Sequence, residues 1–437
     1  MNLENKWFRA AIPALLIHVC IGSVYCWSLL KGNIAEAIGC SVSSIEFAFS
    51  LAIFFLGMSA AFGGRFVEKN VKMASLVSCF CFCSGLLGSI ASILTQSVVG
   101  IMLSYGCLMG VGLGIGYLSP VKTLMLWFSE HKGLATGIAI SGFGLSKVLF
   151  SPFIEWCNAT HGVITTLAVM AGFSAVSIIL ASILIRKPKD WVEPDVKWMI
   201  TDYLHVIKNP TYLKIWFVFY LNITCGLALI SFEKTIGQAV GITAIAALAS
   251  LTAFFNTAGR FGYSTLSDWF GEKEKIYRII FASSCIAMLC GSVYMSMIVI
   301  IVMLCVINAG YGGGFSTLPT LLQSKFGMDK ISTIHGLALS AWAWAGLSGN
   351  QLSNLIINRL EMPYTNLFIV LTVLYAVAYL ITRSISKEIF IEQSMDNVVK
   401  TLVKTPEGKL VVEDVECVPI TDTKFATPQE KKEDVQK

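Results

Sequence analysis

The chain has 437 residues, 55% of them hydrophobic and only 14% charged, with a net charge of +5. A water-soluble protein of this length covers its surface with charge, so the composition argues against that class. The basic residues lie in short clusters between apolar runs, which suits orientation in a bilayer and is unlike a nucleic-acid-binding stripe. A membrane-spanning helix needs about 20 mostly apolar residues. That ruler predicts spans near 7–30, 44–64, 73–94, 97–121, 133–154 and 162–185, then near 212–233, 243–266, 277–296, 298–322, 333–357 and 363–383. The first run, from Trp7 to about Leu30, is long enough to span and be retained, and it does not read as a cleavable signal. The one long internal polar stretch, Arg186–Thr211, carries Lys187, Pro188, Lys189, Asp190 and Pro194. The expected fold is therefore an all-α membrane protein of twelve transmembrane helices in two pseudo-symmetric six-helix bundles. Their expected bounds are 1–185 and 212–384, joined by a cytoplasmic linker at 186–211 and followed by a mobile cytoplasmic tail at 385–437.

Basic residues support this topology. With both termini inside, clusters such as Arg65, Lys69 and Lys72, or Arg186, Lys187 and Lys189, or Lys273, Lys275 and Arg278, all fall on the cytoplasmic side. The opposite side holds only Lys31, Lys234 and Arg359, as the positive-inside bias requires of a cell-membrane protein. Thirteen cysteines are present, but Cys79, Cys81 and Cys83 sit in an apolar run without a neighbouring histidine or acid. They read as small packing residues and not as metal ligands, and no cofactor is expected. The two halves also repeat. GLGIGYLSP (112–120) leads to HKGLATG (131–137), and GYGGGFSTLP (310–319) leads to IHGLALS (334–340). Each is a glycine-rich helix ending near a proline, a short basic loop, and a new helix opening on Gly-Leu-Ala. Duplicated halves of this kind build a central site at their interface in many secondary transporters.

The loop after span 2, Gly64 to Lys72, resembles the G-x-x-x-D-R-x-G-R loop of the major facilitator superfamily, with Glu68, Lys69 and Val71 replacing Asp, Arg and the second Gly. A degenerate copy, Ser267 to Lys273, follows span 8. More narrowly, the chain resembles the oxalate/formate antiporter family, which is related to monocarboxylate transporters. That resemblance rests on Tyr25-Cys26-Trp27-Ser28, YLSP at 117–120, WFSEHKGLATGIAISGFG at 127–144, YGGGFSTLP at 311–319 and HGLALSAWAWAG at 335–346. It covers all twelve spans and not the tail, and it implies a transporter of small organic anions.

Charges inside spans are costly, at least about 2.5–3.5 kcal/mol each on insertion scales, and so mark candidate sites. Arg260 lies in span 8 about two turns before its cytoplasmic end. Its planar fork suits a carboxylate, and it matches the arginine that the resemblance implies as the carboxylate ligand. Asn256 lies one turn earlier on the same face. It stands where the resemblance to proton-coupled monocarboxylate transporters implies a titrating aspartate, so it can bond the arginine or the substrate, or simply pack. Lys147 in span 5 is either a second cavity cation or a snorkelling residue, and Lys122 in span 4 is expected to snorkel. In span 11, Trp342 occupies the place of a lysine that the resemblance implies for an oxalate exchanger. One mid-cavity cation instead of two favours a monocarboxylate. Tyr25, Trp27, Tyr117, Tyr311, Phe315 and Trp342 are expected to wall the cavity, their polar tips donating while the ring faces pack on a short apolar body. His18 reads as a packed histidine or a proton carrier, and His335 as part of the loop signature.

These readings combine into a non-enzymatic secondary transporter, expected as a monomer in the lipid bilayer. Alternating access would move a lactate-, pyruvate- or formate-like acid, together with a proton or against a counter-anion. The alternatives are an oxalate or other dicarboxylate exchanger using Arg260 with Lys147, and a membrane sensor that binds a carboxylate without moving it.

Overall fold

Within hydrocarbon a backbone must satisfy its own hydrogen bonds, so an apolar run of this length folds as a helix. The computed structural model describes residues 5–192, 200–385, 398–404 and 410–416. Among the described residues, twelve long helices follow one another. The first four are α1 (Trp7–Ile38), α2 (Val42–Lys69), α3 (Val71–Leu94) and α4 (Val98–Trp127). Lys132–Leu184 is one continuous apolar segment broken at Gly162, whose φ of 80° and ψ of 169° suit a glycine. It therefore forms two helices, α5 (132–161) and α6 (163–184). Then come α7 (Pro210–Ile230), α8 (Ile245–Trp269), α9 (Glu274–Val293), α10 (Met297–Phe326), α11 (Ile331–Asn354) and α12 (Tyr364–Arg383).

Local chemistry sets several boundaries. Asn70, Ser97 and Asn209 accept from the backbone N–H groups of Met73, Gly100 and Tyr212 at 3.0, 3.0 and 3.1 Å, capping α3, α4 and α7. Gly39, at φ 79° and ψ 34°, ends α1 in the left-handed conformation. Short helices occupy Ile200–Lys208, inside the expected linker, and Glu233–Ala239, between α7 and α8.

Apolar length alone does not identify α8 and α11 among the described residues. They carry Asn256, Arg260, Ser264 and Ser267, and Ser332, His335, Ser340 and Ser348, respectively. These two helices cross the two halves: α11 packs on α2, and α8 packs on α5. Small residues make both contacts close. An added Cβ on Gly57 would lie 2.7 Å from that of Ala343, and one on Gly137 would lie 2.5 Å from Ser264 Oγ.

Residues 389–437 form a separate unit. There, two segments of the expected mobile tail are strands: β1 (Val398–Lys404) runs antiparallel to β2 (Leu410–Glu416), with Val398 opposite Glu416 and Lys404 opposite Leu410.

Candidate functional site

Arg260 and Asn256 sit one turn apart on α8, and Arg260 Nε donates to Asn256 Oδ1 at 2.9 Å. The arginine is 1% exposed, and among the described residues no carboxylate pairs with it. Its Cζ lies 5.3 Å from the ring centre of Phe315 and 5.9 Å from that of Phe143, so two aromatic faces stabilise the charge. Two glycines leave room for its stem. A Cβ on Gly144 would stand 3.2 Å from Arg260 Cδ, and one on Gly312 would stand 3.0 Å from its Cγ. Nη1 is buried without a hydrogen-bond partner.

Around it the aromatic residues interlock. Phe143 meets Tyr25 at 5.3 Å, Tyr117 at 5.8 Å and Trp342 at 5.9 Å between ring centres. Phe315 meets Trp342 at 4.5 Å and Tyr311 at 5.1 Å. The Tyr117 hydroxyl is buried without a partner; those of Tyr25 and Tyr311 are buried facing one another, and all three lie within electrostatic reach of Arg260. Phe143 joins this cage although sequence reasoning passes over it. Its signal was its position in Ser141-Gly142-Phe143-Gly144, where small neighbours let the chain approach α1 and α8. Trp27 stands apart from the cage, its ring 4.5 Å from Tyr105, with an unpartnered buried Nε1.

Above the cage a cavity of about 420 Å³ opens toward the end of α1 and the start of α2, lined among others by Trp27, Asn256, Tyr25, Tyr311, Trp342 and Lys147. Arg260 is not on this lining; it lies one layer below, under Tyr25, Tyr311 and Gly144. Lys147 is therefore a cavity cation, half-buried. The mouth also carries Lys31, Glu46 and Glu233. Lys31 pairs with Glu46 at 2.6 Å, and Glu233 accepts from Thr252 Oγ1 at 2.6 Å.

Three other expectations meet different outcomes. Lys122 does not snorkel: it is 1% exposed, because the whole run 116–125 of α4 is buried inside the bundle. His18 is fully buried, its Nδ1 against the carbonyl of Ala139 and Nε2 3.1 Å from that of Tyr117. His335 reaches beyond the loop and packs 6.0 Å from Tyr117.

The opposite end of the bundle is shut by two carboxylates. Glu68, at the end of α2, accepts from Thr333 N at 3.0 Å and Thr333 Oγ1 at 2.9 Å, at the start of α11. Asp268, at the end of α8, accepts from Gly133 N at 2.6 Å and Leu134 N at 2.8 Å, at the start of α5. Each half thus places a carboxylate on a helix N-terminus of the other, where unpaired N–H groups and the helix dipole favour it. Glu68 stands where the loop resemblance has an aspartate, and its longer side chain reaches Thr333.

Residues 14–350 match the Major Facilitator Superfamily. An oxalate:formate antiporter from Oxalobacter formigenes is 25% identical over 94% of this chain and 97% of its own. Apicoplast pyruvate carrier 1 from Toxoplasma gondii is 26% identical over about a third of each chain, 34% of this one and 35% of its own. Among solved structures, the superfamily transporter FucP in its outward conformation superposes with a TM-score of 0.70 at 11% identity, over 86% of this chain and 98% of that one. With this match across most of its length and twelve helices in two pseudo-symmetric bundles, the chain belongs to the Major Facilitator Superfamily.

Proposed function

We propose that the chain carries a small monocarboxylate, of the size of lactate, pyruvate or formate, across the cell membrane by alternating access. The observation that carries this reading is Arg260 Nη1, buried without a hydrogen-bond partner, beside the equally unpartnered Tyr117 hydroxyl and the Tyr25 and Tyr311 hydroxyls that face one another there. A buried donor left unpaired costs about 1–3 kcal/mol. A carboxylate offers two oxygens with about four acceptor sites and the charge that the guanidinium lacks. Phe143, Phe315 and Trp342 then pack on its short apolar body, and Asn256 holds the fork in plane. The names of the antiporter, which pairs oxalate with formate, and of the pyruvate carrier point to small organic anions, mono- and dicarboxylate alike. Both termini are cytoplasmic in this reading, so the mouth with Lys31, Glu46 and Glu233 faces outward. Tyr25 and Trp342 must shift for the anion to reach Arg260 from the cavity.

Counterflow in proteoliposomes tests the reading, with labelled lactate, pyruvate, formate and oxalate each run against the others. Lactate, pyruvate or formate should exchange in the native chain and fall about tenfold or more in Arg260→Lys, which keeps charge but loses the fork. Undiminished counterflow in Arg260→Lys, or none with any of the four acids, would contradict it. Lys147 on the cavity wall favours a second reading, a dicarboxylate held between Arg260 and Lys147. In that case oxalate outcompetes lactate, and Lys147→Gln removes the advantage.

A further inference from the structure

Two carboxylates line the cavity, Glu46 and Glu233, and they differ in their partners. Glu46 is exposed and already has Lys31. Glu233 opens the short helix between α7 and α8, and its Oε1 accepts from Thr252 on α8 at 2.6 Å. Among the described residues no ion pair holds it. The helix carrying it packs on α8 and α10. From α10 the Cys305 thiol senses its charge, and from α8 Thr252 faces it directly. On its own helix Lys234 is exposed to solvent. Across the cavity stands Lys147, on α5 of the other half, close enough for its charge to act on Glu233. Arg260 lies eight residues beyond Thr252 along α8, about 12 Å at helical rise.

We propose that Glu233 is a proton-binding site of this transporter, loaded together with the anion. The inference rests on the anion-transport reading and adds the coupling ion. An anion entering the cavity brings negative charge toward Glu233 and competes for Lys147. Both effects disfavour the ionised carboxylate, so anion binding strengthens proton binding. Linkage makes the effect reciprocal: the protonated site binds the anion more tightly by the same factor. Burial already pushes the Glu233 carboxyl up from its ordinary value, with Thr252 and Lys147 offsetting part of the shift. The carboxylate takes H⁺ from water at the mouth. It gives H⁺ up through the cavity after the anion has left, when Lys147 again has Glu233 as its counter-charge. No other bond changes.

The test uses the full chain in detergent with L-lactate as probe, or formate or oxalate if lactate does not bind. Affinity is followed between about pH 5 and 8, and proton uptake on binding is read with an indicator dye in weak buffer. The native chain should bind more tightly as pH falls, by up to about tenfold per unit, and should take up protons. Glu233→Gln should bind at every pH with the native low-pH affinity and take up none, while Glu233→Asp keeps the uptake. If Glu233→Gln fails to fold, Lys147→Gln serves instead: the midpoint of the pH dependence should move upward, because the cation favouring the ionised form is gone. Full proton uptake in Glu233→Gln, no uptake in the native chain, or an unmoved midpoint in Lys147→Gln would overturn the proposal. Any of these results alongside anion binding that Arg260→Lys weakens would leave the anion reading standing; failure of all three probes to bind would remove both.

Discussion

A buried guanidinium without a protein counter-charge is a large electrostatic commitment, and the residues touching Arg260 show how it is borne. Asn256 fixes Nε, and Phe143 and Phe315 face the charge with their negative ring faces. Asn256→Leu should therefore leave the charge in place but release the fork, raising the half-saturating concentration of the anion more than it lowers maximal uptake. A neutral-to-charged hydrogen bond of about 1.5–3 kcal/mol corresponds to roughly a ten- to hundredfold change in affinity. Saturation curves of counterflow check this, and an unchanged half-saturation would assign Asn256 to packing alone. At this scale the sequence was partly legible. A lone arginine in an apolar run is visible without coordinates, and so is the amide one turn away. Phe143 was hidden because one phenylalanine among 27 carries no mark of its own. Glu233 was hidden because it closes the predicted span 212–233, where a glutamate reads as surface at the headgroups. Lys122 misled because a lysine near a helix end ordinarily reaches the headgroups, and only the packing of α4 within the bundle shows it buried.

Among elements, the contacts that matter are α2 with α11 and α5 with α8, since these join the halves at the end away from the mouth. Glycines and carboxylate caps act together there. Gly336 packs against the carbonyl of Ala60 and Gly64 against the backbone of Thr333, so the two helices can meet closely enough for Glu68 to reach Thr333. Glu68→Gln keeps the shape and weakens two charge-assisted bonds, together about 1–3 kcal/mol once the glutamine's own bonding is subtracted. The equilibrium should shift toward the conformer open at the end that carries Glu68 by about five- to 150-fold. A cysteine introduced at Ser332 should then label faster from that side than in the native background, and an unchanged rate would show that the cap does not hold the closure. The repeated loop was legible in the sequence as a motif with substitutions. That its glutamate still caps a helix was not, because the partner, Thr333, lies 265 residues away. The polarity of α8 and α11 follows from the same role. Helices that line a cavity and close an interface carry serines and amides, and so fall short of the apolar length by which the other spans are recognised.

On the scale of the whole molecule, the open mouth and the capped opposite end describe one of two access states. Lys31, Glu46, Lys147 and Glu233 stand at the wide end, and the Glu68 and Asp268 caps stand at the narrow one. An anion bound at Arg260 neutralises a charge that is already out of water, so closing the cavity above the pair no longer leaves that charge without a counter-ion. Loading should therefore favour the occluded form, and access from the mouth should fall as substrate is added. Ser28 and Ala249 line the cavity wall from opposite halves, and a cysteine at either position should react with a membrane-impermeant thiol reagent applied outside. The rate is taken above that of the unmutated chain, since thirteen native cysteines contribute a background. Saturating lactate should slow both positions together, because one movement of the two halves narrows both walls, whereas oxalate should do so only if Lys147 supplies a second contact. Arg260→Lys should keep the labelling and lose the protection, since the reagent enters the cavity without the fork but the anion does not stay. Protection that persists in Arg260→Lys would mean that the anion shields these walls from some other place, and the link between the buried guanidinium and closure of the mouth would fail.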